Sequence, residues 1–308
     1  MRLSSLVICA CLLRAALASA DPHPMTSGAT PAPTTDTQVA MTEETLTIAM
    51  DLRSAAVHAA VTLENRGAAT RLQVGFPCAT GEDAGSIDVP CKVPLTVTIN
   101  GKKVAARKQK TGKAQQHWVW PLALDAGEKA ALSVRYRAPL INDRYSVPAS
   151  GMGSFTYRLT TGARWAGPIG KLQITVDHLH EPLLFVSPPG YQREPGRLTW
   201  TLADHEPGVE VILIPHPIAG GRLAQSLVGK GRGKGADTVR ARLAAGDYAK
   251  ADVDAALAHL RDAGDWGDGW LGTISRVGGF PTPSKEQAAV VIAESIKVLE
   301  GLAARAKR

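Results

Sequence analysis

The side chains best suited to chemistry gather late in the chain: His178, His180, His205 and His216, with Glu181 and Glu206 directly after two of them. On a strand His178 and His180 would point to the same side. Two or three imidazoles and a carboxylate can hold a transition metal and activate water, so His178, His180, Glu181 and His205 define one reading, a metal-dependent hydrolase. The spacing argues against it. Leu184 and Val209 stand where an HExxH motif needs its second histidine, and Pro182 and Pro207 oppose the helix that motif requires. The His-Glu-Pro triplets then read as strand-end turns, and no cofactor is expected. Asp262, Asp265 and Asp268 recur among glycines with Trp266 and Trp270 beside them, but the order of a calcium loop is not met. They read as an inter-helix loop anchored by its tryptophans. No G-x-S-x-G nucleophile elbow is present.

The compartment changes how the remaining reactive side chains are read. Met1 and Arg2 start an N-terminal stretch with an apolar run from Leu6 to Leu13 and a small-x-small site at Ala18-Ser19-Ala20. This is the layout of a cleaved signal peptide over residues 1–20, so the expectation is an exported, periplasmic or extracellular protein. Cys9 and Cys11 leave with that segment, and Cys78 and Cys91 remain. In an oxidising compartment such a close pair reads as a disulfide rather than a thiol catalyst. Acylation at Cys11 is the alternative, disfavoured by the short apolar run. Cleavage leaves about 290 residues, a length that suits two domains. With 44% hydrophobic and 20% charged residues the chain should fold, and nothing in its mature part approaches a membrane-spanning length.

The elements that would position any site are mostly strands. Residues 21–40 are Pro-, Thr- and Ala-rich and read as a disordered spacer. From Glu44 the pattern alternates strictly: Leu46, Ile48 and Met50 face one way, Thr45, Thr47 and Ala49 the other. Val57 to Leu63 and Leu72 to Phe76 continue in the same way. Asn100-Gly101 marks a type I′ hairpin, and Asp125-Ala126-Gly127-Glu128 a second hairpin. Trp118 and Trp120 lie on one face and should fill the sandwich centre; an exposed pair for sugar stacking is the rival reading. Residues 41–138 thus form a first β-sandwich domain carrying the disulfide, and residues 150–216 a second β lobe. The fold class expected is mainly β: two β-sandwich-like lobes followed by a small α-helical C-terminal segment.

Residues 217–236 are a glycine-rich basic tether. Over Ala219 to Arg242 six cations (Arg222, Lys230, Arg232, Lys234, Arg240, Arg242) face one acid, Asp237. The formal charge of +7 includes Arg2 and Arg14, so this stretch carries the whole +5 of the mature chain. Charge runs are usually solvation. The functional rival is salt-sensitive attraction to an anionic envelope polymer or an envelope protein, with no specific nucleic acid expected. Residues 237–308 show helical periodicity. The final helix, from Ser284 to about Ala304, opens with Thr282-Pro283-Ser284 and Gln287 as its start signal. Ala288, Val291, Ile292, Ser295, Leu299 and Leu302 give it a face that must dock.

One stretch is more specific than composition: Phe155-Thr-Tyr-Arg-Leu-Thr-Thr-Gly-Ala-Arg-Trp-Ala-Gly-Pro-Ile-Gly170. Together with Met41-Thr-Glu-Glu44, Gly75-Phe76-Pro77 and Tyr136-Arg-Ala-Pro139 it resembles an uncharacterised family of secreted bacterial β-sandwich proteins, over roughly Val39 to Pro215. The resemblance implies export and a β fold and brings no catalytic residues. From the residues alone, Gly162, Gly167, Pro168 and Gly170 read as turns around a Trp165 plug. The functional rival is a ligand groove at that turn, including Tyr157 and Thr161. The leading expectation is an exported, non-enzymatic binding or structural protein, with the hydrolase and an assembly partner as the other classes.

Overall fold

The computed structural model describes residues 28–29, 31–50, 54–79, 93–110, 115–140, 155–178, 183–215, 242, 245–261 and 285–306. The described chain is mainly β, with two helices at its C-terminal end. An eight-stranded sheet is built from β3 (Val39–Met50), β4 (Ser54–Asn65), β6 (Thr96–Ile99), β7 (Lys102–Val104), β10 (Lys129–Pro139), β12 (Ile169–Asp177), β14 (Gln192–Glu194) and β15 (Arg197–His205), in the order β14-β15-β12-β3-β4-β10-β6-β7. A four-stranded sheet takes β2 (Ala32–Pro33), β5 (Thr70–Ala79), β8 (Arg107–Lys110) and β9 (Gln115–Leu124), in the order β2-β5-β9-β8. Another takes β1 (Gly28–Ala29), β11 (Phe155–Arg158), β13 (Leu183–Ser187) and β16 (Val211–Pro215), in the order β1-β11-β16-β13.

Period-two alternation explains the two faces of the large sheet. One continuous inner row runs Trp200, Ile174, Leu46, Ala59, Val134, Val97 across six strands. All six side chains are buried. The row one residue away, Thr201, Gln173, Thr45, Ala60, Ser133, Thr98, lies on the opposite face and is small or polar throughout. A one-residue slip would exchange the rows and put hydroxyls in the core, so the pattern itself fixes the register. Both small sheets share the core under the inner face. Phe76 meets Tyr136 edge-on at 5.0 Å between ring centroids, and Phe155, Tyr157 and Leu213 join the same cluster.

The boundary read between two lobes falls within this sheet. Strand β3 pairs antiparallel with β4 and parallel with β12, Leu46 standing opposite Ile174, so strands from both expected lobes form one surface. Residues 28–40 also depart from the expected spacer. Strand β1 pairs with β11, β2 pairs with β5, and Val39 opens β3. The segment is held because the indole Nε1 of Trp165 donates to the carbonyl of Pro31 at 2.8 Å and Thr34 N donates to Gln73 O at 3.0 Å.

The Asn100-Gly101 hairpin forms as expected, but the Asp125–Glu128 turn closes no hairpin: β9 pairs with β5 and β8 whereas β10 pairs with β4 and β6, so that turn carries the chain from one sheet to another. Asn100 and Gly101 have φ of 50° and 76°, the two positive values a type I′ turn needs, and Gly127 has a φ of 73°. Asn65 knots the turns at that end. It is 1% exposed; its Nδ2 donates to the carbonyls of Ala68, Leu124 and Asp125, and its Oδ1 accepts from Gly67 N.

The helices α1 (Lys250–Arg261) and α2 (Lys285–Arg305) pack together through Val253, Leu257, Leu260, Leu299 and Leu302, closed by Tyr248, whose hydroxyl donates to Leu302 O at 2.8 Å. The expected docking face of α2 is confirmed at Val291, Ser295, Leu299 and Leu302, all buried, with Ile292 packed beside them. Its dock on the sheets is polar at the centre. Ser295 Oγ accepts from Leu183 N at 3.0 Å, and Glu294 accepts from Tyr191 Oη at 2.7 Å and pairs with Arg193 at 3.1 Å. Among the described residues no helix is long and apolar enough to cross a membrane.

Candidate functional site

Of the histidines singled out from the sequence, the two among the described residues, His178 and His205, do not converge. His178 is fully buried just past β12, its N–H bonded to Gly196 O, whereas His205 ends β15 opposite Ile169 at the start of β12. The two histidines therefore sit at opposite ends of one antiparallel strand pair, about 30 Å apart at the rise of a strand. One ion cannot take both. His180, Glu181 and His216 lie outside the described residues, and among the described residues no group of three or more His, Cys, Asp or Glu side chains gathers as a metal site. Burial lowers the pKa of His205, against the opposing effect of Glu206.

The residues of the Trp165 motif are packed and hydrogen-bonded into the fold. Tyr157 is fully buried and donates to Glu44 Oε1 at 3.4 Å; Trp165 is 3% exposed and holds Pro31. Gly162 N donates to Leu159 O inside a 3-10 turn, Thr160–Arg164, and Thr161 Oγ1 donates to Arg158 O. Glu210 caps that turn, accepting from the N–H groups of Leu159 and Thr160 and from Thr160 Oγ1. Gly167, before Pro168, has a φ of 73°, and a Cβ on Gly170 would stand 2.7 Å from Thr42 O. Neither large aromatic is displayed to a ligand.

Cys78 is buried at the end of β5 and disulfide-bonded; Cys91 lies outside the described residues. Of the tether cations Arg222, Lys230, Arg232, Lys234 and Arg240 lie outside them too, while Arg242 pairs locally with Asp247 at 3.1 Å. Asp262, Asp265, Asp268, Trp266 and Trp270 likewise fall outside. Trp120 is buried as expected, and Trp118, half-buried, carries the ammonium of Lys108 at 4.9 Å from its ring centroid.

What the structure adds is a cleft on the outer face of the large sheet. It has a volume of about 560 Å³ and is walled by Glu43, Thr45, His58, Thr62, Thr96, Thr98, Ser133 and Arg135. Ala60 and Ala131 lower its floor, because a methyl side chain on an outward strand position leaves a hollow between longer neighbours. The outer row Thr199, Thr175, Thr47, His58, Arg135, Thr96 sets the imidazole directly beside the guanidinium. Two residues along β10 from Arg135, Ser133 stands diagonally across from His58, and its Oγ lies 2.9 Å from His58 Nε2. Partial burial, helped by the Arg135 cation, lowers the His58 pKa, so the ring is neutral at pH 7. Neither Glu43 nor Arg135 meets an oppositely charged side chain among the described residues.

A histidine within hydrogen-bond reach of a serine is the geometry of a nucleophile and its base. Here the backbone denies the rest of the machinery. Strand β10 is paired with β4 on one side and β6 on the other throughout Leu132 to Arg135. The N–H groups around Ser133 are therefore committed to the ladder and cannot form an oxyanion hole, which needs free donors. The arrangement can bind: it offers a cation, a carboxylate, an imidazole and several hydroxyls on a rigid floor. Sequence reasoning passed over it because His58 and Ser133 are 75 positions apart. The usable signal was the alternation, which puts both on the outward set.

No family model matches the chain, and no curated protein matches it. Solved structures do. A candidate nutrient binding protein of Legionella pneumophila is similar at a TM-score of 0.54 and 14% identity, covering 89% of this chain and 97% of that one. Two structures of yeast LTA4 hydrolase, one native and one with bestatin, reach TM-scores of 0.37 and 0.36 at 9% identity. They cover 63% and 57% of this chain, against 31% and 28% of theirs, and at that level of likeness they carry no argument. What the chain shares with the Legionella protein is the fold, over nearly the full length of both.

Proposed function

We propose that this protein is an exported, non-enzymatic binding protein of the cell envelope or extracellular space, taking a small polar ligand with a negative group in the cleft over Ser133 and Arg135. The observation that carries this reading is a cleft of about 560 Å³ with an Arg135 guanidinium that no described carboxylate neutralises. That volume lies in the range of small-molecule sites, and the few polar groups in its walls, Arg135, Glu43, His58 and Ser133 among them, would orient an occupant. The ligand's anionic group faces Arg135, while Ser133 and the threonines serve its hydroxyls or amides. The fold likeness to a candidate nutrient binding protein supports the same class.

Export rests on the signal-like residues 1–20, and kinship with the secreted β family on the Phe155–Gly170 motif. Pairing of Cys78 with Cys91 belongs to the same proposal and fits an oxidising compartment. So does contact of the basic tether with an anionic envelope polymer or a partner protein.

Thermal-shift screening with amino acids, dicarboxylates and sugar acids tests the cleft. A ligand should raise the melting temperature of the wild type, and Arg135→Ala should weaken it by about tenfold or more, the loss of one charge-assisted hydrogen bond. If every compound that binds does so equally well to Arg135→Ala, the site lies elsewhere.

A further inference from the structure

A charged surface lies on β7 and β8, the last strands of two of the three sheets. From Val89 to Leu124 the chain carries seven Lys and Arg residues and no Asp or Glu. Five of them, Lys102, Lys103, Arg107, Lys108 and Lys110, are exposed on β7 and β8. Strand β7 is the last strand of the eight-stranded sheet and β8 the last strand of its four-stranded neighbour. The chain crosses from one sheet to the other through Ala105 and Ala106, the latter packed on the core. The five cations therefore lie on two edge strands joined by two residues, within about 26 Å of one another at strand rise. None meets a carboxylate among the described residues. Lys108 is held over Trp118 by a cation–π contact, which fixes one charge of the row.

The geometry points to this edge as a docking strip for an acidic polysaccharide. A line of like charges repels itself, and an extended polyanion laid along it relieves that repulsion. Four of the five are lysines, point charges that suit spaced carboxylates better than the bidentate recognition arginine gives. Two other polyanions fit less well. A membrane-binding surface adds apolar side chains that enter the lipid, whereas among the described residues the exposed large hydrophobics are Val209, between β15 and β16, and Val290 on α2, neither on β7 or β8. Single-stranded nucleic acid needs open aromatic faces for its bases, and the Trp118 ring carries Lys108 on a face. At its β7 end the strip borders the small-ligand cleft, whose wall includes Gly101 and Thr98, the partner of Lys103, whereas Lys108 and Lys110 lie on β8 in another sheet, so substitutions there test the strip without touching the cleft.

Lysines also guard strand edges against pairing with other chains. The two roles separate experimentally. Full-length protein is titrated with polygalacturonate at low and moderate salt, with neutral dextran, an oligothymidylate and phosphatidylglycerol vesicles as comparisons. Two variants are read beside the wild type: Lys108→Glu with Lys110→Glu at the edge, and Lys230→Ser, Arg232→Ser and Lys234→Ser in the tether. The expected result is salt-sensitive binding of polygalacturonate but not dextran, weakened about tenfold or more by the edge substitutions and little by the tether substitutions. Because both edge residues are exposed, the milder Lys108→Gln with Lys110→Gln checks any variant whose circular dichroism changes. Three results would overturn the assignment: no binding at low salt, binding lost only with the tether substitutions, or tighter binding of oligothymidylate or vesicles. Aggregation of the edge variants with polymer binding unchanged would leave edge protection as the whole role of these lysines.

Discussion

His58 Nε2 and Ser133 Oγ lie 2.9 Å apart on neighbouring central strands, at the floor of the outward cleft. The contact is a diagonal one, since the register pairs His58 with Arg135 and Ser133 with Ala60. Its consequence is electrostatic as well as geometric. Arg135 stands beside a ring already partly desolvated, and both effects oppose its protonation.

That pair gives a pH prediction. The folded-state pKa of His58 lies below its ordinary value of 6.5, and burial lowers His205 in the same way. The unfolded chain therefore takes up protons at a higher pH than the folded one, so this stabilisation is complete above 6.5 and is lost as pH falls toward the folded pKa. Urea midpoints measured at about pH 8 and about pH 5.5 should show the drop, with a smaller drop in His58→Gln. Equal dependence in the wild type and the variant would rule out His58 as a source.

Trp165 should prove the main fastener of the N-terminal segment. Trp165→Phe keeps a ring in the buried site but leaves Pro31 O without its donor, and should cost about 1 kcal/mol. Trp165→Ala empties the site and should cost about 3–5 kcal/mol, read from denaturant midpoints. Similar stabilities for the two variants would show that packing contributes little there.

Ser295→Ala should loosen the C-terminal helix without unfolding the sheets. The substitution leaves the buried Leu183 N–H without its acceptor, a penalty of about 1–3 kcal/mol. Hydrogen exchange should quicken in α2 and at Leu183 while strands β3 and β4 keep their protection. Uniform acceleration across the protein would mean that the helix is integral to the core.

The elements were legible where one physical rule dominated. Alternation gave β3 and β4, Asn100-Gly101 gave the hairpin, and helical spacing gave the buried side of α2 at Val291, Leu299 and Leu302. The single sheet uniting the expected lobes was not legible, because the parallel pairing of Leu46 with Ile174 joins residues far apart in sequence and leaves no local mark. The ordering of residues 28–40 was hidden for a similar reason: Pro31 is held by Trp165 across 134 positions. The cleft escaped because threonine, alanine and serine on outward strand positions look like ordinary solvated surface until register sets His58, Ser133 and Arg135 side by side. The histidines drew notice through their residue type alone, and strand pairing sends His178 and His205 to opposite ends.

The most direct measurement is a resonance-by-resonance map of small polar compounds titrated into isotope-labelled protein. The account predicts that a bound anion shifts the signals of His58, Ser133, Arg135 and the threonines of β3 and β6, and that Arg135→Ala removes those shifts. Shifts that gather around Trp165 or the ends of β12, with the outer face of β4 and β10 silent, would contradict it.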